Sequence, residues 1–192
     1  MVALVLASTS PYRKELLERL GVPFTCVAPE VDEAAARSGE SSPIALARGL
    51  ALAKATAVAK KHGKDVVIGC DQVAALGEQI LGKPGTAAAA KEQLQALQGN
   101  EHMLITAVAV RCGKEVDEFV EVTSLRMRKL SGKEIERYVE LDQPLDCAGS
   151  YKFERAGVAL FDRVQGEDHS AIPGLPLVKL CAALRRFGLQ VP

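Results

Sequence analysis

Apolar residues come along this chain in two kinds of pattern. Continuous runs stand at Val2 to Leu6 and within DVVIGCD, residues 65–71, as in strands buried on both faces of a sheet. Elsewhere they return every three or four positions, the spacing of a helix with one buried face. Ser10 and Pro11 read as the N-cap and first position of a helix whose apolar side is Leu16, Leu17 and Leu20. Thr25 to Ala28 suggests a second strand, leading into a polar loop, PEVDEAAARSGESSP. Ser42 and Pro43 then open a long Ala-rich helix that ends near Gly63. After DVVIGCD, a hairpin is expected around Gly77, followed by a helix capped by Thr86 and running to Gln98. MLITAVAVR and EVDEFVEVTSLRMRKL read as antiparallel strands joined across Cys112, Gly113 and Lys114. Ser131 and Glu134 form a capping box for a short helix. AGSYKFE and GVALFDRV predict a loop and a strand, and LPLVKLCAALRRFG a closing amphipathic helix. The order is α/β, one domain over residues 1–192 with a curved mixed β-sheet, flanking helices and a cleft.

Composition narrows the partners. Lys plus Arg equals Asp plus Glu at 24 each, so no overall field draws the chain to nucleic acid or to a membrane, and any anion site must be local. Five cysteines, odd in number and without a CxxC, suggest reduced thiols rather than a disulfide framework or zinc site. The first apolar run is too short for a signal peptide and lacks its basic flank. No segment approaches the roughly 20 apolar residues of a membrane span. The expected location is cytoplasmic.

Four groups of polar residues sit where folding alone does not ask for them. The first turn of a helix favours acidic residues, yet STSPYRK puts Arg13 and Lys14 there behind Ser8, Thr9 and Ser10. Amide N–H groups, hydroxyls and cations together suit a phosphate; the alternative is a capped helix with two solvated cations. Lys54 falls in the middle of the stripe formed by Leu46, Ala47, Leu50, Ala51 and Val58. It must either snorkel to water or meet an anion. Asp71 ends the DVVIGCD strand, a position that can present a catalytic group or merely cap a turn. With Glu33 it offers oxygen ligands for Mg²⁺ or Mn²⁺ riding mostly on substrate phosphates, or a base for water. Lys83, in LGKPG, is either a solvated hairpin lysine or a third cation beside Arg13 and Lys54. No P-loop, GxGxxG or HExxH occurs. From the residues alone the chain reads as a phosphate-handling α/β enzyme.

Seven segments in register resemble the Maf family of nucleoside triphosphate pyrophosphatases: LASTSPYRKELL, PEVDE, LARGLALAKA, IGCDQV, LGKP, AGSYKFE and GLPL. The resemblance implies two lobes around a central cleft, the Maf/ITPase-like arrangement. It also implies cleavage between the α- and β-phosphates with a divalent metal. Ser8, Arg13, Glu33, Lys54, Asp71 and Lys83 fall on the family's active-site positions, with Asp71 as general base. Glu33 and Asp71 share the metal and water roles interchangeably, and a homodimer is a family expectation. Tyr12, Gln72 and Glu154 stand where members acting on dTTP and UTP show other residues, and look like the branch that prefers 7-methyl-GTP. An aromatic stacks well on a cationic methylated guanine, and a carboxylate accepts its N1–H and amine. The other readings are a dTTP/UTP pyrophosphatase and a nucleotide-binding regulator of cell division with little turnover.

Overall fold

A computed structural model describes residues 2–39 and 42–192. Seven strands form one mixed sheet: β1 (Leu4–Ala7), β2 (Phe24–Cys26), β3 (Val66–Leu76), β4 (Gln79–Leu81), β5 (Glu101–Cys112), β6 (Glu115–Met127) and β7 (Phe161–Gln165). Their order is β2-β1-β3-β5-β6-β7, with β4 on β3. β1 runs parallel to β2 and β3, whereas β3–β4 and β6–β7 are antiparallel. Among the described residues six α-helices accompany them: α1 (Pro11–Glu18), α2 (Glu33–Gly39), α3 (Pro43–Ala59), α4 (Ala87–Leu97), α5 (Gly132–Asp142) and α6 (Leu177–Arg186). The chain divides into two compact units. The first holds residues 1–72, 106–121 and 168–192, the second 73–105 and 122–167.

The first unit explains the continuous apolar runs. Leu4 and Leu6 of β1 and Val66, Ile68 and Cys70 of β3 share a core with Leu16 and Leu17 of α1 and Leu180, Ala183 and Leu184 of α6. The intervening Val5, Ala7 and Val67 pack with Val58 of α3. Both faces of these strands are therefore covered, and no polar alternation is permitted. The α3–β3 approach is close enough to require glycine. A Cβ on Gly69 would lie 2.2 Å from the Ala51 carbonyl oxygen and 2.5 Å from the Ala55 nitrogen.

In the second unit α4 packs on α5, whose start carries the expected capping box: Ser131 N–H donates to Glu134 Oε2 at 2.8 Å. The AGSYKFE segment is turned by Gly149 and Ser150, with φ of 80° and 62°. Left-handed backbone is costly for serine. It is held by the Ser150 hydroxyl donating to Gln93 Oε1 at 2.6 Å and by the Lys152 N–H donating to the Tyr138 hydroxyl at 2.8 Å. Tyr151 is buried, with its hydroxyl 2.9 Å from His102 Nε2. Burial lowers the His102 pKa from an ordinary 6.5 to about 4.

Two expectations need correction. The polar stretch after β2 is not all loop: α2 forms over Glu33–Gly39, because Asp32 accepts from the Ala35 N–H at 3.0 Å and an Ala run follows the cap. Residues 40 and 41 of that expected loop lie outside the described residues. β3 does not stop at Asp71 but runs on to Leu76, since Val73, Ala74 and Ala75 are fully buried, and the expected hairpin turns at Gly77.

Gly69→Ala should cost about 3 kcal/mol, the upper range for overpacking against atoms that cannot swing away, read from urea midpoints. His102 binds its proton more weakly folded than unfolded, so its stabilising contribution is complete above pH 6.5 and is lost as pH falls toward about 4. The loss should approach about 3 kcal/mol and flatten in His102→Gln.

Candidate active site

α3 carries its lysine inward. Leu46, Ala47, Leu50, Ala51, Lys54, Ala55 and Val58 are its buried residues, so Lys54 lies within the apolar stripe and only 5% of it is exposed. Its ammonium does not snorkel. Nζ stands 2.7 Å from Asp71 Oδ1 on β3 and 2.6 Å from Glu33 Oε1 at the start of α2. Gly69 and Asp71 share the α3 side of β3, so the missing side chain at 69 lets the helix close in and the carboxylate at 71 meets it. Asp71 is buried and Glu33 is 44% exposed at its side chain, which leaves the cluster one open side.

Across the strand, Cys70 and Gln72 point the other way. The Ser8 hydroxyl accepts from the Ser10 N–H at 3.1 Å, and Ser10 caps α1 by accepting from the Arg13 N–H at 3.4 Å. Arg13 Nε donates to the Gly174 carbonyl at 3.1 Å, and the Cys70 thiol donates to the same oxygen at 3.1 Å. Arg13 and Lys54 both favour a Cys70 thiolate, but burial outweighs them and pushes the thiol pKa up. Cys70 is thus a packed donor rather than a nucleophile. Lys14 pairs with Glu18 at 3.7 Å on the exposed side of α1. Tyr12 is half-buried on the first turn of α1.

Gln72 is engaged with protein: its amide Nε2 donates to Thr106 Oγ1 at 2.9 Å and to the carbonyls of Ala171 and Ile172 at 2.9 and 3.0 Å. Lys83 and Glu154 belong to the second unit. Lys83 is exposed in the loop after β4, and Glu154 is exposed between Tyr151 and the 3₁₀ helix Ala156–Leu160. The structure therefore brings together Lys54, Asp71 and Glu33, and separately Ser8, Ser10, Arg13 and Cys70 within the same unit. Missed by sequence reasoning were Thr106 and the role of the 168–176 turn, whose end, GLPL, stood out as a family segment without an assigned task.

Among the described residues no three or more His, Cys, Asp or Glu gather as a metal site on their own. Asp71 and Glu33 nevertheless offer hard carboxylate oxygens on one point, which fits a divalent cation that brings most of its ligands on phosphate. No helix among the described residues is long and apolar enough to cross a membrane.

Residues 3–187 match the family described as Maf-like protein. The chain belongs to the Maf family. A Maf relative from Bdellovibrio bacteriovorus, named 7-methyl-GTP pyrophosphatase, is 45% identical over 97% of both chains. Relatives of the same name from Xanthomonas axonopodis pv. citri and Aromatoleum aromaticum are 47% and 49% identical; the first match covers all of both chains, the second 98% of this chain and 97% of the other. A HAM1 protein from Coxiella burnetii superposes with a TM-score of 0.51 over 97% of this Maf chain and 100% of its own, at 17% identity, a likeness of fold.

Lys54→Met should strand a buried carboxylate and cost about 3–5 kcal/mol. Adding Asp71→Asn should recover much of that loss, and urea denaturation of the single and double variants checks it.

Proposed function

We propose that this chain hydrolyses a nucleoside triphosphate, 7-methyl-GTP by preference, to the monophosphate and pyrophosphate, and so removes a non-standard nucleotide from the pool. The observation that carries this reading is the buried ammonium of Lys54 between Asp71 and Glu33. A charged cluster of that kind is costly within an apolar layer, and such clusters concentrate at functional sites. The name shared by its relatives, 7-methyl-GTP pyrophosphatase, supports the same substrate.

Asp71 acts as general base, accepting a proton from the water that attacks the α-phosphorus, with Lys54 orienting its carboxylate. Arg13 and Lys83 offset charge developing on the leaving pyrophosphate. Ser8 and the amides at the start of α1 take phosphate oxygens. Glu33, exposed on one side, shares the binding of metal or water with Asp71 and can exchange roles with it. A bound Mg²⁺ or Mn²⁺ would supply Lewis-acid polarisation of the phosphates. Tyr12, Gln72 and Glu154 are the specificity residues of this reading: an aromatic ring suits a cationic purine and a carboxylate its N–H donors. The balanced charge of 24 against 24 supports a protein working without nucleic acid; a cytoplasmic location and a homodimer belong to the same proposal.

Pyrophosphate release from 7-methyl-GTP, GTP, dTTP, UTP and CTP with Mg²⁺ or Mn²⁺ is the test. Fast release from 7-methyl-GTP is expected, falling about 10²–10⁴-fold in Asp71→Asn while nucleotide binding persists. Release chiefly from dTTP and UTP would keep the reaction and reject the substrate. Binding without Asp71-dependent release would favour a regulator.

A further inference from the structure

The turn DHSAIPGLP, residues 168–176, is fastened at both ends. At its start Asp168 Oδ1 accepts from the Ser170 N–H at 2.9 Å and Oδ2 from the Val178 N–H at 2.7 Å, while the Ser170 hydroxyl accepts from the Leu177 N–H at 2.7 Å. These side chains cap α6, whose own N-cap, Pro176, has no side chain that can. In the middle of the turn the Ala171 carbonyl is a shared acceptor. It takes Gln72 Nε2 at 2.9 Å, Thr106 Oγ1 at 3.0 Å and the Gly174 N–H at 3.0 Å. Gly174 adopts φ +117°, which disfavours any side chain, and a Cβ there would stand 3.5 Å from Arg13 Nε. The opposite side of that residue, its carbonyl, is the acceptor for Arg13 Nε and for the Cys70 thiol. A path of contacts thus runs from Gln72, beside Asp71, through Ala171 and Gly174 to the guanidinium of Arg13.

We infer that Gln72 and Thr106 are positioning residues: by fixing the Ala171 carbonyl they hold the Gly174 N–H, and with the Leu175 N–H donating to the Ser170 carbonyl at 3.2 Å this sets the Gly174 carbonyl that aims the Arg13 guanidinium. The inference rests on Arg13 contacting phosphate in the proposed reaction. With Nε held by the Gly174 carbonyl, rotation of the planar group is restrained, and the terminal nitrogens are the fork that matches phosphate oxygens. The Gln72 amide nitrogen is committed to this turn, because its two hydrogens already serve three acceptors. The thiol of Cys70, kept protonated by burial, remains a donor to Gly174. One short piece of β3, residues 70–72, thereby aligns the base on one face and a phosphate cation on the other.

The test uses the full chain with Gln72→Met and Thr106→Val. Val is close in shape to Thr, so the second variant serves if the first does not fold. In proton–nitrogen NMR the Arg13 Nε–H, assigned by its loss in Arg13→Lys, should exchange with solvent about tenfold faster in either variant than in the parent protein. That readout needs no turnover, so failure of the proposed reaction does not obscure it. With 7-methyl-GTP, each variant should lower kcat/KM about ten- to hundredfold, and Thr106→Val should leave the preference for 7-methyl-GTP over GTP unchanged. In an Arg13→Ala background neither should lower it further. An Arg13 resonance that exchanges as in the parent would overturn the inference, and so would an equal loss of kcat/KM in the Arg13→Ala background. A changed preference between the two nucleotides would instead assign Gln72 to the base.

Discussion

The ammonium of Lys54 sits in a helix–sheet contact that is otherwise apolar, and its neighbours follow from its charge. An unpaired ammonium there would be expelled or neutralised, so two carboxylates must reach it. Asp71 does so only because β3 turns that residue toward α3, and α3 lies near enough only because residue 69 has no side chain. Glu33 does so only because α2 begins where it does, with Asp32 capping the turn. A lysine, a glycine and a cap far apart in sequence thus meet one electrostatic requirement. The cluster holds one positive and two negative charges, which suits meeting a further cation more than meeting a bare anion.

Arg13 is held by different means. Its partner is a neutral carbonyl, and that carbonyl is oriented by a turn stitched to β3 and β5. Charge pairing would leave the guanidinium satisfied and less available to phosphate. A backbone bond at Nε gives it direction without a carboxylate taking its charge.

Much of this was legible locally. Lys54 stood out because a 3.6-residue period put it inside an apolar stripe, and the caps at Ser10, Ser42, Thr86 and Ser131 announced four helices. α2 was hidden because its residues are small or polar and carry no apolar face to betray the period. The extent of β3 beyond Asp71 was hidden by the charge itself, which looks like a strand end. Nothing nearby could have revealed the support of Arg13, since Gly174 lies 161 positions from it. Such contacts are decided by tertiary folding, and the Gly and Pro of the turn signal a bend without saying what the bend will hold.

The alternation of β3 has a consequence for how the gene can vary. Gly69 and Asp71 serve one face, Cys70 and Gln72 the other, and a strand has no third. Replacing one of these residues alters one contact. Inserting or deleting a single residue would exchange the two sets, turning Asp71 toward α6 and Cys70 toward Lys54. Changes of length are therefore barred from this segment and can be absorbed only past Gly77, where the hairpin begins.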